Sequence, residues 1–65
     1  MTLEKARELL EVQVYIGQGY NRNSAKLILA EVHREHGMEA TDRFIADLNM
    51  EAIFGFVTSQ AFKSP

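Results

Sequence analysis

The chain has 65 residues, with seven basic and nine acidic side chains, a formal charge of −2 at pH 7, 46% apolar residues and no cysteine. That length holds one small domain at most, and the missing cysteine excludes disulfides, thiolate metal sites and a cysteine nucleophile together. The mild acidic balance supplies no general attraction to DNA or anionic lipid. The longest unbroken apolar run, Leu27-Ile28-Leu29-Ala30, is far below the roughly 20 residues that cross a bilayer, so no membrane contact is expected. A chain this short buries only about 60% of the surface it exposes when unfolded. Small domains compensate with disulfides, metals, oligomerisation or tight helix packing. Without cysteines, helix packing, within the chain or across a homodimer, is the route expected here.

The first helix is predicted from about Leu3 to Ile16. Thr2 suits the N-cap, where its hydroxyl accepts a backbone N–H, and Glu4 suits the positive end of the helix dipole. Leu3, Ala6, Leu9, Leu10 and Val14 recur near helical spacing. Val12, Val14 and Ile16 alternate with Gln13 and Tyr15 in a strand-like period of two, but a lone strand would have no partner in this chain. Helix is therefore the reading.

Gly17-Gln18-Gly19 breaks the pattern, because glycine tolerates the left-handed backbone of a helix end. A second helix follows, capped by Asn21, Asn23 or Ser24 and reaching about His36. Its inner stripe is Ala25, Ile28, Leu29, Val32 and His36, the strongest periodicity in the sequence. Gly37 reads as the left-handed residue closing it. A third helix is expected over Glu39 to Leu48, with Ala40 or Thr41, Phe44, Ile45 and Leu48 inward and Glu39 four residues before Arg43, the favourable order for an ion pair. Asn49 ends this helix or caps the next. Met50 to Phe54 reads as a helical turn stopped at Gly55, and Thr58 to Pro65 as a frayed end that Phe62 pins. The fold class is thus all-α: a small bundle of three main helices plus a short C-terminal helical turn, in one domain.

Three groups of residues invite a functional reading. His33 and His36 share a helix face three residues apart, but the metalloprotease and di-iron patterns both need spacings that this stretch lacks, so no metal and no cofactor are expected. No acidic residue stands between Glu11 and Glu31, while Arg22 and Lys26 contribute +2. Within that segment Gln18, Tyr20, Asn21, Arg22, Asn23 and Lys26 surround the start of a helix, where free N–H groups and the dipole favour an anion. Phosphate or nucleic-acid binding is the alternative function this segment suggests, although the glycine patterns of phosphate loops are absent. A plain helix–helix turn has the same composition.

The third group is the apolar C-terminal third. Phe44, Met50, Ile53, Phe54, Phe56 and Phe62 exceed what a three-helix unit of this size is expected to hide. Surplus apolar surface on a small chain marks a binding face, and a symmetric homodimer is its commonest form. The competing reading is that these residues form the domain's own core. No nucleophile motif surrounds Ser24, Thr58 or Ser59, and no carboxylate lies within an apolar stripe. The expected function is that of a small non-enzymatic, cytoplasmic helical protein, acting on a protein partner or on itself through the C-terminal third.

Overall fold

The computed structural model describes residues 1–17 and 21–58. They form α1 (Leu3–Ile16), α2 (Asn21–His36), α3 (Met38–Asp47) and α4 (Met50–Phe54), and no strand occurs among the described residues. The all-α expectation holds, with helix limits within a residue of those read from the sequence at α1 and α3.

Local chemistry accounts for the helix ends. Thr2 Oγ1 accepts from the Lys5 N–H at 3.1 Å, and Gly17 adopts φ 64° with its N–H on the Gln13 carbonyl at 2.9 Å. These contacts satisfy backbone groups that a helix terminus otherwise leaves unpaired. Asn21 does not cap α2. It is the first helical residue, and its side-chain Nδ2 donates to Gln13 Oε1 of α1 at 2.7 Å. Gly37 also departs from expectation: its φ is positive at 89°, but ψ is 176°, so it is not in the left-handed helical region. That conformation is essentially reserved for glycine, and it lets α3 begin at Met38 with a sharp change of direction.

The strand-like stretch of α1 has a simple helical explanation. Residues two apart stand on nearly opposite sides of a helix. Val14 packs against the core, while Val12 and Ile16 face outward at 52% and 42% exposure. The period of two therefore records a helix that is apolar on both sides.

The core is drawn from every helix: Ala6 and Leu10; Ala25, Leu29, Ala30 and Val32; Phe44 and Ile45; Met50 and Phe54; and Phe56 beyond α4. Helix α2 is central, packing against both α1 and α3, and α4 packs on α3. Thr41 is fully buried, its hydroxyl donating to the Gly37 carbonyl at 3.0 Å, which removes the cost of an unpaired buried polar group. His36, placed on the inner stripe by periodicity, is exposed, and Ala30 takes a buried position outside that stripe. Because α2 is covered by two helices, its buried arc is wider than the stripe of a helix with one neighbour.

The C-terminal third corrects the sequence reading. Phe44, Met50, Phe54 and Phe56 are between 0 and 6% exposed, so these four belong to the core and not to a binding face. The reason is the path after α4. Gly55 takes φ 79°, its N–H reaching the Glu51 carbonyl at 2.9 Å, and this left-handed turn carries Phe56 back against the body. Phe54 and Phe56 then pack with ring centroids 5.7 Å apart. Ile53 remains outside at 37% exposure, whereas Phe62 lies outside the described residues.

Candidate functional site

The acid-free segment is partly absorbed by the fold. Gln18, Gly19 and Tyr20 lie outside the described residues. Asn21 is buried against α1, with Oδ1 left without a hydrogen-bond partner. Arg22 donates from Nε to the Phe54 carbonyl at 2.9 Å, and its guanidinium carbon lies 4.9 Å from the centre of the Phe56 ring. A cation over an aromatic face contributes roughly 0.5–2 kcal/mol, and this one also satisfies a helix-end carbonyl. Arg22 thus fastens the C-terminal turn to α2 through Nε and the face of its guanidinium, while the residue itself stays exposed. Asn23 and Lys26 stay exposed. Of the residues expected to cooperate in anion binding, Asn21 is thus turned to α1, whereas Arg22, Asn23 and Lys26 stand on the exposed surface of the first turns of α2.

The histidines also separate. His33 is half-buried and its Nε2 is buried without a hydrogen-bond partner, while exposed His36 places Nε2 2.9 Å from the Met1 carbonyl oxygen. Among the described residues no group of three or more metal-ligating side chains comes together. At the same end of α2, the Met1 ammonium donates to Glu35 Oε1 at 2.7 Å. That hydrogen bond is the main reason the Glu35 carboxyl is held below its ordinary value of 4.5; slight desolvation opposes it, and the charges of the amine, Arg34 and His36 assist it. None of the carboxylates among the described residues is buried. Between α2 and α3, His36, Glu39, Ala40, Arg43 and Phe44 line an open notch of about 250 Å³, in which Glu39 and Arg43 face each other at 3.8 Å.

What remains outside is apolar and unevenly placed. Leu3, Val12, Tyr15 and Ile16 of α1 and Leu27 of α2 are 41–91% exposed, Tyr15 most of all. Met38, Ile53 and Val57 are exposed elsewhere. The outer residues of α1 carry a signal in the sequence, the period of two, which fits a helix apolar on two sides as well as a strand.

Comparison with known proteins gives no match to a family model, to a curated protein or to a solved structure. No helix among the described residues is long and apolar enough to cross a membrane.

Proposed function

We propose that this chain is a small, non-enzymatic helical module that works by protein–protein interaction through the outer side of its α1–α2 hairpin. One observation carries the reading: α1 is apolar on both sides, with Val14 turned to the core and Val12, Tyr15 and Ile16 turned away from it. Apolar side chains grouped on the outer side of a helix mark a surface suited to a partner. Leu27 adds an apolar side chain from α2, and a cysteine-free chain suits a cytoplasmic setting. The nucleic-acid alternative has less support, since Asn21 is buried against Gln13 and Arg22 Nε is bonded to the Phe54 carbonyl.

Site-specific photo-cross-linking tests this. A benzophenone side chain at position 12 or 16 should give adducts of discrete mass in cells, whereas the same group at Glu39 or Arg43 should give none. If positions 12 and 16 yield only uncross-linked chain, the interaction reading is wrong.

A further inference from the structure

Resting on that reading, the geometry identifies both the face and its occupant. Contacts at its two ends make the hairpin antiparallel: Gln13 meets Asn21, and Met1 meets Glu35 and His36. Contacts to the other helices define its covered side. Arg7 of α1 reaches Asp47 of α3 at 3.7 Å, and Arg22 of α2 reaches the Phe54 carbonyl of α4 at 2.9 Å. Helices α3 and α4 therefore lie on the Arg7 side of α1 and the Arg22 side of α2.

The opposite side follows from helical geometry. At about 100° per residue, Ile16 stands about 180° from Arg7, and Leu9 and Val12 fall within about 40° of Ile16. On α2, Glu31 is about 180° from Arg22, and Leu27 is about 140° from it. The underside of the hairpin thus presents Lys5, Leu9, Val12 and Ile16 from one helix, and Ser24, Leu27 and Glu31 from the other. Leu9 is half-buried yet is not among the side chains packed on the core, as this placement requires.

We infer that this underside receives a second copy of the chain, with the two-fold axis parallel to the helices, so that each α1 lies on the other copy's α2. Two features of the face argue for that occupant. The first is charge. The end contacts put Lys5 level with Glu31 and Leu9 level with Leu27 along the hairpin. Laying α1 on the α2 of another copy then sets Lys5 against Glu31 twice, and Leu9 and Val12 against Leu27 twice. Each helix has antiparallel neighbours, as in a four-helix bundle. Among the described residues Lys5 forms no ion pair, and Glu31 pairs with the exposed Arg34 at 3.3 Å.

The second feature is area. Helices of 14 and 16 residues make a face about 20 Å by 20 Å, so two such faces bury on the order of 1,000 Å² together, at the lower limit for a specific interface. A larger, more apolar face would be needed for an obligate dimer, so the association is concentration-dependent.

Sedimentation equilibrium of the full chain, from about 1 µM to about 1 mM, reads the dimer directly. The wild type should dimerise within that range, and Leu27→Glu should weaken the dimer at least tenfold while helix content by circular dichroism is unchanged. Lys5→Glu and Glu31→Lys should each weaken it, and the double reversal should recover the wild-type constant; these positions, neither of them buried, keep the test valid if Leu27→Glu fails to fold. A wild type monomeric at the highest concentration, or a double reversal no better than either single change, overturns the second copy. Cross-links from position 12 to a chain of different mass, with a monomeric wild type, would overturn the dimer and leave the interaction reading intact. No cross-link at all overturns both.

Discussion

The C-terminal turn and the outer side of the hairpin contain similar apolar residues in opposite surroundings. Phe54 and Phe56 flank a glycine that reverses the chain, and Arg22 of α2 reaches across to cover the ring of one and bond the carbonyl of the other. Val12, Tyr15 and Ile16 lie inside α1, ahead of its Gly17 stop, so the helix that packs Val14 on the core exposes them. Apolar density along the chain is therefore a poor guide to an interface. What matters is whether the backbone can bring a side chain back to the body.

Breaking the buried region should have the largest effect. Phe56→Ala removes a fully buried ring and leaves the Arg22 guanidinium without its aromatic face, so a loss of about 3–5 kcal/mol in urea unfolding is expected. A loss below about 1 kcal/mol would show that the Gly55–Phe56 segment is not packed as described. Arg22→Ala should cost about 1–2 kcal/mol, from the carbonyl bond and the ring contact together, with Arg22→Lys recovering little because ammonium lacks the flat guanidinium face. If Arg22→Ala left stability unchanged, the arginine would be free for a ligand and the contrast between the two regions would weaken.

At the hairpin the expected stability effect is near zero. Tyr15→Ser should alter monomer stability by no more than about 0.5 kcal/mol, because a side chain 91% exposed has almost no native packing to lose. A clearly destabilised monomer would mean that Tyr15 packs on the chain itself. The smallest effect concerns acid. Because Glu35 titrates lower in the folded chain than its ordinary 4.5, its contribution is complete above the unfolded value and is lost as pH falls through the folded one. The urea midpoint of wild type should therefore drop more steeply below about pH 4.5 than that of Glu35→Gln. Parallel curves would show that the Met1 contact adds nothing.

Much of the fold was legible because it is local. The Thr2 cap, the Gly17 stop, the α2 periodicity and the Gly55 stop each depend on residues within a turn or two of one another. A hydroxyl near free N–H groups or a glycine at positive φ acts the same way in most surroundings. Even the strand-like run of α1 carried its meaning openly, as apolar side chains on both sides of one helix.

The sites were less legible because each depends on partners far away in sequence. Nothing around Arg22 announces that a carbonyl 32 residues later will accept its hydrogen bond, and nothing around Phe56 announces that α2 will cover it. Asn21 had the chemistry of a cap, but Gln13 across the hairpin engaged its side chain. By itself, then, the sequence determined which segments are helical, where they stop and that no cysteine or membrane-spanning run takes part. Only the packing of α3 and α4 against the hairpin decided which apolar residues are covered, since burial depends on distances between elements and not on neighbours along the chain.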